Sequence, residues 1–97
     1  MKIITICGSL KFKQEILEMG EYLQLQGNCV LLPIFPTRNY SNEDVLAMGQ
    51  MHKEKIKLSD AIFVVNVGGY IGNSTQSEIE FAEKLGKEII YFNEPNQ

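Results

Sequence analysis

The hydrophobic and polar positions of the chain alternate between two periods. Lys2 to Cys7 is β-branched and apolar and stops at Gly8-Ser9. That is a short continuous apolar strand, the kind buried on both faces of a parallel sheet. From Phe12 the period lengthens. Phe12, Ile16, Met19 and Leu23 recur at helical spacing, with Lys13, Glu18 and Glu21 elsewhere around the wheel. Gly27-Asn28 supplies residues favoured where a helix ends in a left-handed turn. Cys29 to Leu32 is a second strand, closed by Pro33. Pro33 to Asn42 shows no period and is the longest irregular stretch; long loops in compact domains are often functional. Ser41 followed by Asp44 has the form of a helix N-cap, and Val45, Met48, His52, Ile56 and Ser59 mark one face of a second helix. Ala61 to Val67 reads as a third strand and breaks at the glycine-rich turn Gly68 to Asn73. A third helix is expected from Thr75 to Leu85, ending near Gly86, with a last strand from Glu88 to Phe92.

Such alternation of short strands with helices implies right-handed crossovers and a parallel sheet. The expected architecture is an α/β, flavodoxin/Rossmann-like three-layer sandwich. It has a four-stranded parallel sheet in the order 2-1-3-4 and about three helices. Ligands in such sheets bind beyond the carboxyl ends of the strands, at the switch point between strands 1 and 3. That places Gly8-Ser9-Leu10 and the segment Gly68 to Ser77 along one crevice.

Composition narrows the picture. Ninety-seven residues fit one domain over 1–97, and 44% hydrophobic against 22% charged residues excludes a disordered chain. A net charge of −3 argues against a nucleic acid polymer as partner. No apolar run approaches the roughly 18 residues of a membrane span. The opening segment is too short for a signal-peptide core, so a cytoplasmic protein is expected, with Cys7 and Cys29 reduced. Their spacing fits no zinc pattern. Both read as buried structural thiols, with no metal and no cofactor expected.

Glu78 stands out. Ile79, Phe81, Ala82 and Leu85 form the apolar stripe of the third helix, while Glu80, Glu83, Lys84 and Lys87 fall opposite. Glu78 heads the inward stripe, at the mouth of the crevice. Two readings stay open: a capping box in which Glu78 bonds back to the Thr75 backbone, and a catalytic carboxylate held partly out of water. Gly68, Gly69 and Gly72 favour the second, because close approach of a ligand to backbone needs glycine. Gly8, Ser9 and Leu10 offer a hydroxyl and backbone N–H groups suited to an anion, and Ser74 and Thr75 offer the same at the other helix. Asp60 could cap the turn before strand 3. His52 reads as packed or partner-facing, and Tyr70 as either a stacking platform or an ordinary loop tyrosine.

Cys7-Gly8-Ser9-Leu10, Ser59-Asp60-Ala61, and the run from Gly69 through Thr75-Gln76-Ser77-Glu78-Ile79-Glu80-Phe81-Ala82 together resemble the nucleoside 2-deoxyribosyltransferase superfamily, which includes the 2'-deoxynucleoside 5'-phosphate N-hydrolases. The resemblance implies that Glu78 attacks the anomeric carbon, displaces the base and carries a glycosyl ester. It implies that Asp60 orients the sugar or protonates the base, and that Gly8 and Ser9 hold a 5'-phosphate. With Leu10, Gly69, Tyr70, Gly72, Ser74 and Thr75 completing the substrate site, the expected enzyme cleaves an N-glycosidic bond, by hydrolysis rather than base transfer. Its partners would be a small nucleoside or nucleotide and further copies of itself, as a homodimer or higher homo-oligomer. The sequence departs from the family at Gly72, where members carry aspartate or serine, and at Thr5, where many carry tyrosine. It also ends at Glu94-Pro95-Asn96-Gln97, soon after the last strand, without the further strand of larger members. The glycine-rich turn also resembles that of nucleotide-sensing Rossmann-like proteins, so a non-catalytic nucleotide-binding module is the alternative.

Overall fold

The computed structural model describes residues 1–95, so the end of the expected tail, Asn96 and Gln97, lies outside the described residues. Strand β1 (Ile3–Gly8) leads through a 3-10 turn into helix α1 (Lys13–Leu25). Strand β2 (Cys29–Leu31), helix α2 (Asn42–Leu58) and strand β3 (Ala61–Val65) follow. A second 3-10 turn precedes helix α3 (Asn73–Lys84) and strand β4 (Glu88–Tyr91). The four strands pair in parallel in the order β2-β1-β3-β4, as the alternation of periods predicts.

Period-2 alternation sorts the sheet side chains onto two faces. Ile4 and Ile6 of β1, with Ala61, Phe63 and Val65 of β3, pack on Ile16 and Leu23 of α1. Cys7, Ile62 and Val64 point the other way, against Ile56 of α2 and Ile79 and Ala82 of α3. One helix therefore covers one face and two cover the other. The register Cys7↔Val64 and Gly8↔Val65 sets the carboxyl ends of the two central strands side by side. Glycine at position 8 is a packing requirement, since a β-carbon there would stand 3.0 Å from the Val65 carbonyl oxygen.

The ends of elements differ from the sequence reading in physically explicable ways. The third strand stops at Val65 because Asn66 leaves the ladder to clamp the loop after β4. Its side chain donates to the Asn93 carbonyl at 2.7 Å and accepts from the Asn93 N–H at 2.8 Å. Helix α2 begins at the expected cap, Ser41, and closes a full capping box with Asp44. Helix α3 begins earlier than expected, with Gly72 as its N-cap and no side-chain cap bond. Cys29, expected to be buried, is exposed on the edge strand β2, whereas Cys7 is fully buried; both thiols are free. Leu85, expected on the inward stripe, is exposed past the end of α3, where Thr75 and Glu78 are buried instead. No helix among the described residues is long and apolar enough to cross a membrane.

Candidate active site

Beyond the carboxyl end of β1, between the loop after β2 and helices α2 and α3, lies a cavity of about 580 Å³, within the range of small-molecule sites. Gly8, Ser9 and Leu10 after β1 form one wall, and Ser74, Thr75 and Glu78 of α3 another. The remaining wall comes from the Pro33 to Tyr40 loop and from α2, including Arg38, Met48, Met51, His52 and Lys55. All three residues of Gly8-Ser9-Leu10 thus line the cavity, but of the segment Gly68 to Ser77 only Ser74 and Thr75 do, joined by Glu78 just beyond it.

Glu78 is at the floor. It is 9% exposed and sits in the second turn of α3, after the six residues from Gly72 that start the helix. The capping-box reading falls, because the helix caps at Gly72 and Thr75 lies inside it. Burial drives the Glu78 carboxyl from an ordinary 4.5 up to about 7, against the smaller opposing pull of the Cys7 thiol and the Lys53 ammonium. Removing a carboxylate from water disfavours its charged form, which is the direction observed.

Two further buried groups meet it. The β1 pleat aims Cys7 at the α2/α3 face, and the helical period of α2 brings His52 inward beside Ile56. His52 Nε2 lies 3.6 Å from Cys7 Sγ and 4.0 Å from Glu78 Oε1. Burial lowers the imidazole to about 4, with Lys55 adding repulsion and the Ile6 backbone opposing both. The Cys7 thiol is pushed well above its ordinary range, first by burial and then by Glu78. Near neutral pH His52 is therefore uncharged, and its approach to Glu78 is not an ion pair. His52 Nδ1 is buried and makes no well-formed hydrogen bond. An unpaired buried polar atom of this kind costs about 1–3 kcal/mol.

The spacing of Cys7 and Cys29 fits no zinc pattern, yet the fold gathers a cysteine, a histidine and an acid at one point. Cys7, His52 and Glu78 hold donor atoms all within 4.8 Å of one another. No linear spacing announces the cluster, because the three residues come from a strand and two different helices. His52 is packed, as its apolar neighbours suggested, but it also lines the cavity.

The structure does not bring every candidate together. Asp60 precedes β3 and therefore lies at the opposite, amino end of the sheet, outside the cavity. There its carboxylate accepts from the Ile3 N–H at 2.8 Å, stitching β3 to β1. Gly69, Tyr70 and Gly72 do not line the cavity either. Tyr70 packs edge-on against Phe12, with ring centroids 5.9 Å apart, and carries Lys11 Nζ 3.4 Å above its ring. Gly68 and Gly69 have φ of +63° and +83°, so the tight turn itself requires glycine and no ligand need be invoked.

No protein-family model and no curated protein matches the chain. Among solved structures it is similar to a "2-desoxiribosyltransferase from Leishmania mexicana", with a TM-score of 0.72 and 18% identity over 95% of this chain and 64% of that one. It is also similar to a conserved protein from Enterococcus faecalis V583, with a TM-score of 0.64 and 20% identity over 94% of this chain and 62% of that one. The chain spans less than two thirds of the length of either. At these identities the likeness concerns architecture: the chain has a nucleoside 2-deoxyribosyltransferase-like fold.

Proposed function

We propose that the protein is an enzyme that cleaves the N-glycosidic bond of a nucleoside or nucleoside 5'-monophosphate, with Glu78 as nucleophile. The observation that carries this reading is a buried carboxyl at the floor of a small-molecule cavity with no capping role. A carboxylate in that position is short of solvation. Positive charge developing at an anomeric carbon would supply what it lacks, so the interaction is stronger in the transition state than before it.

In the first step the bond from C1' to the base nitrogen breaks and its electron pair leaves with the base. A Glu78 oxygen forms the ester to C1'. In the second step a water oxygen attacks C1' and the ester bond breaks, regenerating the carboxylate. The neutral imidazole of His52, 4.0 Å from Glu78 Oε1, takes the water proton and passes it to the departed base. Asp60 has no part in this scheme. Hydrolysis is favoured over base transfer because one cavity of this size must hold the whole substrate.

Arg38 and Lys55 line the same cavity as Ser9 and Ser74. Two cations beside two hydroxyls suit a phosphate, which favours the 5'-monophosphate over the nucleoside. The reading also carries a homo-oligomer, since the cavity-lining Ile34, Val45 and Met51 leave apolar surface exposed.

The test is release of free base from each common ribo- and deoxyribonucleoside and its 5'-monophosphate. Wild-type protein should release base, with a higher kcat/KM for monophosphates. No release, together with a nucleotide-induced rise in melting temperature, would instead support the nucleotide-sensing module.

A further inference from the structure

Three of the fold's buried polar side chains converge on one point from three separate elements. Cys7 comes from the end of β1, His52 from the middle of α2 and Glu78 from the second turn of α3. Each offers a different donor atom: sulfur, imidazole nitrogen and carboxylate oxygen. We propose that Cys7, His52 and Glu78 form a three-ligand site for Zn²⁺, whose fourth position opens into the cavity.

The distances suit the ion. Zinc binds cysteine sulfur at about 2.3 Å and histidine nitrogen at about 2.0–2.1 Å in a tetrahedron, which separates the two donors by about 3.6 Å. Cys7 Sγ and His52 Nε2 stand 3.6 Å apart. Zinc–nitrogen and zinc–oxygen bonds of about 2.0–2.2 Å put those two donors about 3.4 Å apart in a tetrahedron, so the Nε2 to Glu78 Oε1 separation of 4.0 Å closes by roughly 0.6 Å, within the reach of a rotatable glutamate. The donor set also selects the metal. A thiolate with one imidazole and one carboxylate is a zinc combination, whereas magnesium and calcium take oxygen alone.

Charge balance points the same way. Binding converts the Cys7 thiol to thiolate with release of its proton, and any proton held by Glu78 leaves as well. Two anionic donors and a neutral imidazole then neutralise the dication, so no net charge remains in the interior. Through Nε2 the ring makes a strong bond in place of its long contacts to sulfur and oxygen. The cavity side of Glu78 leaves room for a water or a small ligand as the fourth partner.

This inference goes beyond the proposed glycosidase and does not rest on it. The two are coupled in one respect: an ion on Glu78 occupies the oxygen that would attack the sugar. Zinc at this site therefore inhibits base release, and a chelator restores it.

The test uses the full chain carrying Cys29→Ser, which removes the exposed thiol as a competing ligand. Zn²⁺ is titrated calorimetrically, and Co²⁺ is titrated with its absorption recorded. The expected result is one ion per chain and a near-ultraviolet thiolate-to-cobalt band. Adding Cys7→Ser should abolish the band and weaken zinc binding by more than about 100-fold. If that variant fails to fold, Glu78→Gln, whose side chain borders the cavity, should keep the thiolate band and weaken zinc at least about 10-fold. Absence of the band in the Cys29→Ser protein, or zinc affinity unchanged by these substitutions, overturns the site. Zinc binding by a protein whose chelator-treated, zinc-free form releases no base from any of the nucleosides or nucleotides would leave the metal site standing and remove the glycosidase reading.

Discussion

The two ends of the same parallel sheet are built on opposite principles. At the amino end every prominent polar group has a partner. Asp60 accepts from the Ile3 N–H, Lys2 Nζ meets Glu88 Oε1 at 2.6 Å, and Thr5 Oγ1 lies 2.6 Å from Ser59 Oγ. Ser59 in turn donates to the Lys55 carbonyl at 2.8 Å. At the carboxyl end Glu78 and His52 are buried beside a thiol, and His52 Nδ1 makes no well-formed hydrogen bond. Satisfied polar groups hold a fold together, whereas unsatisfied buried ones cost stability and mark the place where chemistry or a ligand completes them. The comparison separates Asp60 from Glu78, two acids that the family resemblance assigns to one site.

The largest expected effect is on turnover. Glu78→Gln keeps the shape of the side chain and removes its nucleophile, so base release should fall by about three orders of magnitude or more while nucleotide binding persists. A steady-state assay with a binding titration checks both halves. Retained turnover would mean that the unsatisfied end is not catalytic.

A second effect concerns pH. Glu78 is raised to about 7, so the folded protein holds a proton that the unfolded chain has released above 4.5. Its contribution to stability is complete below 4.5 and is lost as pH rises through 7. His52 is lowered to about 4, so its contribution is complete above 6.5 and is lost as pH falls through 4. Between 4.5 and 6.5 the two limbs oppose each other, and the dependence they jointly impose is shallow. Each single substitution should expose the other limb. Glu78→Gln should become more stable as pH rises from 4 to 6.5, and His52→Gln less stable as pH rises from 4.5 to 7. Urea midpoints across that range measure both slopes; parallel slopes would contradict the assignment.

The amino end should respond in stability and not in activity. Thr5→Val removes a buried hydroxyl while Ser59 keeps its bond to Lys55, and should cost about 1–1.5 kcal/mol. Asp60→Ala removes an exposed bond to the Ile3 N–H and should cost about 0.5–1 kcal/mol. Base release by Asp60→Ala should match wild type. A large loss of turnover there would return Asp60 to the site and break the comparison.

The sheet order, the helices and the inward turn of Glu78 were legible because each rests on local period. Continuous apolar runs marked the strands, and the stripe through Ile79 and Ala82 fixed which way α3 faces. Asp60 reads as a site residue only through the family resemblance, whereas topology alone places it elsewhere: in a parallel sheet a residue just before a strand lies at the end away from the ligand crevice. The glycines after β3 suggest room for a ligand, whereas positive φ at Gly68 and Gly69 serves the turn and Tyr70 folds back onto Phe12. Cys7 and His52 escaped because their meeting depends on the pleat of β1 coinciding with the helical phase of α2, which no linear spacing records.

The most direct measurement is mass analysis of the protein quenched during turnover of its best deoxyribonucleotide. The account predicts a chain heavier by one deoxyribosyl phosphate, with the added mass on the peptide that contains Glu78 and absent in Glu78→Gln. Rapid base release with no adduct, or an adduct on any other residue, would contradict the central claim.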